Sequence, residues 1–151
     1  MNNRSWLVDE NGLRTVARGI ATQLQSGDLI FLSGDLGTGK TTFAQAATRA
    51  MGFEGVVNSP TFTLIETYQT DYGELVHLDL YRLESLMELE NIGIRDYLDG
   101  QFICFIEWPQ KGEGIILSPD LIIKFKTLEN PNHREIFFED FSNKLKNNLS
   151  S

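Results

Sequence analysis

"GDLGTGKT", residues 34–41, decides the fold. It fits G-x-x-x-x-G-K-[ST] without mismatch. Average residue frequencies give such a match by chance in roughly one of a few hundred chains of this length, so its context matters. It is preceded by "DLIFLS" (28–33), a continuous apolar run like a strand buried on both faces. It is followed by helical spacing from Lys40 to Met51, with Phe43, Ala47, Ala50 and Met51 on one face and Gly52 as a stop. Strand, glycine loop and helix in that order are the phosphate-binding P-loop.

The chemistry explains the residue types. Gly34, Gly37 and Gly39 let the backbone bend so that successive N–H groups face phosphate oxygens. The loop residues Gly37, Thr38 and Gly39 cradle the nucleotide, and the helix start adds its positive dipole end. Lys40 reaches the β- and γ-phosphates as a point charge. The Thr41 hydroxyl is a magnesium ligand, and Thr42 contacts the α-phosphate.

A metal bound to nucleotide also needs a carboxylate at the end of a neighbouring strand. Two candidates exist. "FICFIEW" (102–108) is an apolar run ending in Glu107, and "HLDLYR" (77–82) carries Asp79. Alternation puts Val76, Leu78 and Leu80 on one face, and Leu75, His77, Asp79 and Tyr81 on the other, half-polar one. Glu107 is therefore assigned to the metal directly. Asp79 is the second carboxylate, contacting the metal through water or orienting the attacking water. An exposed Glu at a strand end is the bland alternative for Glu107. His77 reads as a structural hydrogen-bonding residue. Arg82 is open between phosphate stabilisation and a surface ion pair.

"SPTFT" (59–63) lies where switch-type nucleotide hydrolases place a threonine that senses the γ-phosphate. Thr61 is the choice and Ser59 the alternate. Trp108 is either core packing or an aromatic beside the nucleotide or a partner. No Asn-Lys-x-Asp element for guanine is present, since "NKLK" (143–146) lacks the Asp, so ATP is the default nucleotide. Its base is expected near the first strand, around Trp6 to Asp9, and the loop 129–134.

Outward from these motifs the chain reads as one α/β domain, 1–151. A helix with Leu13, Val16, Ala17, Ile20, Ala21 and Leu24 inward runs between Asp9 and Gly27. "TFTLIETYQ" (61–69) and "ELVHLDL" (74–80) form a hairpin about Asp71-Tyr72-Gly73. Residues 84–98 are short helical pieces, "DLIIKFKTL" (120–128) and "REIFFEDF" (134–141) are later strands, and 142–151 is a frayed helix. The expected architecture is a P-loop fold: a central, mainly parallel sheet with an antiparallel hairpin and helices on both faces.

Composition limits the function. The 151 residues have 41% hydrophobic content and a formal net charge of −8, so strong direct binding of tRNA or other nucleic acid is not expected. A single cysteine, Cys104, precludes an internal disulfide and sits in an apolar run as an inert thiol. Neither a signal peptide nor a membrane span is legible, so a cytoplasmic protein, monomeric by preference, is expected.

"GDLGTGKTT", "SPTFTL", "HLDLYRL", "ELENIGIRDYL" and "CFIEWPQKGEGIILSPD", in that order, closely resemble the TsaE (YjeE) family of small P-loop ATPases from about residue 9 to about 125. The P-loop is widely shared; "DLYR" and "EWP" are much more specific. The resemblance implies an ATPase that supports formation of N6-threonylcarbamoyladenosine at position 37 of tRNAs reading codons that begin with A. It implies binding to the TsaD–TsaB pair, without transfer of the threonylcarbamoyl group by this chain. It puts magnesium on the residues matching Thr41 and Glu107, and importance on those matching Asp79 and Trp108. Thr38 stands where many members have Ala, a position not expected to be critical. Two other classes remain open: a small-molecule or nucleotide kinase, disfavoured by the lack of an Arg-rich lid segment, and a non-hydrolysing nucleotide switch.

Overall fold

A computed structural model describes residues 2–142. The expected C-terminal helix therefore lies outside the described residues, apart from Ser142. The chain begins with a strand, β1 (Asn2–Val8), then α1 (Glu10–Ala21). Asp9, read from the sequence as lying near the helix start, is the N-cap of α1: its carboxylate accepts from the Gly12 N–H at 2.7 Å. That satisfies one of the free N–H groups of the first turn. The apolar stripe Leu13, Val16, Ala17, Ile20 and Ala21 is buried, as the 3.6-residue spacing requires.

β2 (Leu29–Ser33) leads through the glycine loop into α2 (Lys40–Ala50). The hairpin is β3 (Ile65–Thr70) and β4 (Gly73–Asp79). It starts later than the apolar pattern suggests. Residues 60–64 form a turn, with the Leu64 N–H donating to the Pro60 carbonyl at 2.9 Å and Leu64 at φ 71°. Proline offers no N–H to a ladder, and this turn carries Thr61 and Phe62 off the sheet. Two short helices, α3 (Leu86–Asn91) and α4 (Ile94–Tyr97), precede β5 (Ile103–Glu107). A 3₁₀ turn at Pro109–Gly112, β6 (Leu121–Thr127) and β7 (Arg134–Asp140) complete the chain.

The seven strands form one sheet in the order β1-β7-β6-β2-β5-β4-β3. The four central strands β6, β2, β5 and β4 are parallel, and β1, β7 and β3 attach antiparallel at the flanks. Alternate residues face opposite cores. Ile30, Leu32, Leu75, Ile103 and Phe105 pack with α1 and α2. Val76, Leu78, Cys104 and Ile106 pack with Leu89 of α3 and Ile94 of α4. β5 is buried along its whole length, because neighbours and helices cover both its edges and faces.

Cys104 shows how dry that interior is. Burial pushes its thiol up to about 12, and its Sγ–H donates to the Tyr97 carbonyl at 3.3 Å. A thiol reagent acts on the thiolate. Iodoacetamide at pH 8 is therefore expected to leave the native protein unlabelled and to label Cys104 fully after denaturation; rapid native labelling, followed by intact mass, would contradict the packing of β5.

Candidate active site

The site lies at the C-terminal edge of the parallel strands. β2 ends at Ser33, and there the chain must turn back sharply into α2. Gly34 makes the turn at φ 150°, where a Cβ would stand 2.6 Å from the Phe125 carbonyl oxygen. Gly39 ends it at φ 105°, pinched so that a Cβ would meet Leu13 at 2.8 Å and Arg134 at 3.1 Å. Side chains larger than hydrogen are excluded at both ends by backbone and by packed neighbours. Lys40, the first residue of α2, is buried, and its Nζ donates to the Gly34 carbonyl at 2.5 Å.

Parallel register aligns the two carboxylates. Asp79 of β4 pairs with Glu107 of β5, and Glu107 pairs with Leu32 of β2. The odd-numbered residues of β4 and β5 that reach the core face α1 and α2, so His77, Asp79 and Glu107 share that face. Glu107 is only 3% exposed, which excludes the exposed strand-end reading. The Thr41 hydroxyl donates to its Oε2 at 3.0 Å and approaches Oε1 at 3.2 Å. The His77 ring, itself buried, places Nε2 2.7 Å from Oε2. A carboxylate only accepts, so Nε2 carries the proton and donates. His77 is thus the hydrogen-bonding residue that alternation suggested, and its partner is Glu107.

Asp79 accepts the Tyr81 backbone N–H at 3.0 Å. Burial raises its pKa above the ordinary carboxylate value; the Tyr81 bond opposes the rise and the charge of Glu107 adds to it. Burial lowers the pKa of Lys40, while Glu107, Asp79 and Asp35 pull it back. Two carboxylates and one ammonium thus share a small buried volume, a field that attracts a further cation. Among the described residues no cluster of three or more His, Cys, Asp or Glu side chains could hold a metal by itself. Thr41 and Glu107, in contact at 3.0 Å, are the side chains that could hold a metal, with Asp79 beside them.

Trp108 follows Glu107 at φ 56°, a left-handed conformation uncommon outside glycine. Its ring lies under the Lys40 ammonium, 3.9 Å from the centroid, and against Tyr81 at 4.9 Å. Thr61 hydrogen-bonds Ser59 at 2.7 Å and faces the same cavity, about 310 Å³, as Thr42, Asp79 and Glu107. The backbone of Gly37 and Gly39 lines it too, whereas the Thr38 side chain turns inward to the Asp35 carbonyl at 2.7 Å. A larger concavity, about 450 Å³, runs between α1 and α2 past Arg14, Arg18 and Arg49 and shares Thr42 with the first. Arg49 there is committed to the carbonyls of Glu54 and Gly55.

Arg82 lies over the exposed Phe62 ring at 4.6 Å, outside the cavity lining, and no carboxylate pairs with it among the described residues. Of the two segments expected near the base, Trp6 is packed on Phe138 at 4.8 Å and Asp9 caps α1. The loop 129–134 does reach the site, through Arg134, which lines the cavity and donates from Nε to the Thr38 carbonyl at 2.6 Å. Sequence reading missed this arginine as an individual residue, although the loop that carries it was singled out.

The family model described as threonylcarbamoyl adenosine biosynthesis protein TsaE matches residues 7–136. The tRNA threonylcarbamoyladenosine biosynthesis protein TsaE of Haemophilus influenzae is 41% identical over 108 residues, covering 72% of this chain and 68% of that protein. The protein of the same name from Bacillus subtilis is 35% identical over 145 residues, covering 95% and 90%. The crystal structure of Bacillus subtilis YdiB superposes with a TM-score of 0.79 at 30% identity, covering 95% of this chain and 89% of that one. The chain belongs to the TsaE family.

The bond from His77 fixes which way Glu107 points. Loss of a partner that orients a metal ligand costs about 10–100-fold in metal affinity. His77→Leu is expected to raise the half-saturating magnesium concentration for nucleotide binding by about 10-fold, with binding in EDTA unchanged. His77→Gln, which keeps a donor near the same place, is expected to recover most of it. Equal loss with and without magnesium, read by titration calorimetry, would make His77 a packing residue only.

Proposed function

We propose that this member of the TsaE family is a magnesium-dependent ATP hydrolase. It binds the TsaD–TsaB pair and supports their turnover in forming N6-threonylcarbamoyladenosine at position 37 of tRNAs that read A-starting codons. The names of its relatives support the pathway. The observation that carries the enzymatic reading is the contact of Thr41 with Glu107, at 3.0 Å, between the first turn of α2 and the end of β5. These residues come from sequence positions 66 apart and meet where the glycine loop delivers a nucleotide's terminal phosphates.

The roles follow from the positions. The N–H groups of the loop from Gly37 to Thr42 bind phosphate oxygens, and Lys40 bridges the outer two phosphates. A magnesium ion there would supply charge neutralisation for the outer phosphates; Thr41 and Glu107 would hold it, and His77 holds Glu107. Asp79, one strand further out, would orient the attacking water or serve the metal through water. Thr61, on the turn that leaves the sheet at Pro60, reports the presence of the γ-phosphate. Trp108 confines Lys40 and narrows the pocket.

This set contains one cation at the metal end, Lys40. Hydrolysis by P-loop proteins without a supplied arginine is slow, and a partner that adds one accelerates it by about 10³–10⁵. The isolated chain is therefore a slow ATPase, and the complex regulates it. The net charge of −8 keeps it off the tRNA backbone, so its tie to tRNA runs through its protein partners. It works as a monomer in the cytoplasm.

Steady-state ATPase of the purified chain is expected to be low, to rise on adding TsaD–TsaB, and to fall at least about 100-fold in Lys40→Ala. Glu107→Ala is expected to abolish the magnesium dependence. A basal rate indifferent to TsaD–TsaB, with no detectable binding, would overturn the partner assignment, and phosphate transfer to a small acceptor in place of water would make the protein a kinase.

A further inference from the structure

The two ends of the site lie on opposite sides of β2. Glu107 and Asp79 stand on β5 and β4, the first and second strands to one side. Arg134 stands on β7, the second strand to the other side. With strands about 4.8 Å apart, Arg134 is about 10 Å from the P-loop strand, in the direction away from both carboxylates. It is level with them: Arg134 opens β7 opposite Thr127, the last residue of β6, at the C-terminal edge of the parallel strands. A nucleotide whose outer phosphates meet Thr41, Glu107 and Asp79 must run its α-phosphate and nucleoside the other way, past Thr42 toward β6 and β7.

Arg134 is built into that end. Its Nε–H is used by the Thr38 carbonyl at 2.6 Å, and its Nε and Cδ lie 3.1 and 3.5 Å from where a Cβ on Gly39 would stand. These contacts fix the guanidinium plane at the wall of the cavity. The preceding loop is pinned as well: Asn130 accepts the N–H of Asn132 with its side chain at 3.0 Å and that of His133 with its carbonyl at 3.1 Å. A held guanidinium presents two things to a nucleoside, a planar cationic face that stacks on a heteroaromatic ring and outward N–H donors. Lysine offers neither plane nor fork.

We propose that Arg134 is a binding residue for the nucleoside end of the nucleotide, packing its guanidinium plane on the base. The assignment rests on the nucleotide-binding reading above. It makes Arg134 a determinant of affinity for nucleotides over bare polyphosphate, and leaves the metal end to Lys40, Thr41 and Glu107.

Titration calorimetry of wild type, Arg134→Ala, Arg134→Lys and Arg18→Ala with ADP and with inorganic tripolyphosphate tests it. ADP affinity is expected to fall about 10-fold in Arg134→Ala and nearly as far in Arg134→Lys, with tripolyphosphate affinity within about 2-fold of wild type in both. Equal losses for the two ligands, or recovery of ADP affinity in Arg134→Lys, would overturn the base contact and leave a charge or a loop brace. Loss in Arg18→Ala with none in Arg134→Ala would overturn it by placing the nucleoside in the groove between α1 and α2. Wild type that binds neither ligand would instead remove the nucleotide-binding reading itself. Thermal melts of each variant separate unfolding from lost contacts, and the lysine variant keeps the test alive should the alanine variant fail to fold.

Discussion

Glu107 sits 3% exposed at the end of a wholly buried strand, and a carboxylate there needs compensation. The Thr41 hydroxyl and the His77 ring supply it from α2 and from β4. Three elements distant in sequence are thereby held in one register at the edge of the sheet. The rest of the site depends on this. Thr41 can reach Glu107 only if the glycine loop turns tightly enough to start α2 at Lys40. His77 can reach it only if β4 and β5 are parallel and aligned, as the pairing of His77 with Phe105 and Asp79 with Glu107 shows. Among the described residues no buried side-chain polar atom lacks a partner, so the cluster is satisfied as well as charged.

Backbone strain is placed beside the same cluster. Leu64 and Trp108 are the non-glycine residues with left-handed φ among the described residues, at 71° and 56°. Each costs about 1–3 kcal/mol and persists only where surroundings enforce it. Leu64 closes the turn that brings Thr61 to the cavity, and its carbonyl accepts the Asp79 N–H at 3.0 Å. Trp108 reverses the chain just after Glu107, which lays its ring under Lys40. Both strained residues thus adjoin one of the two carboxylates, and both set the shape of the pocket.

The fold was legible because its signals are local. The apolar runs at 28–33 and 102–106, the stripe along α1 and the glycine loop each specify an element without knowledge of the others. Alternation along 75–81 also sorted His77 and Asp79 onto one face correctly, since period-two geometry is a property of the strand alone. Three things were not legible. The start of β3 depended on the turn after Pro60, which overrides an apolar pattern that would suit a strand. The placement of Arg82 depended on Phe62, a neighbour across a loop. Arg134 depended on sheet order: it meets Thr38 across 96 residues of sequence only because β7 folds back beside β6. Such long-range placement leaves no periodicity to read.

Magnesium held by Thr41 and Glu107 is the claim on which the account turns. A crystal structure of the protein with manganese and a non-hydrolysable ATP analogue tests it directly, because the anomalous signal of manganese locates the ion. The account predicts a peak at about 2.1–2.2 Å from Thr41 Oγ1, with Glu107 bound to it directly or through one water and Asp79 no closer than Glu107. A peak held by Asp79, with Glu107 still bonded only to Thr41 and His77, would contradict it and would make Glu107 a structural acid.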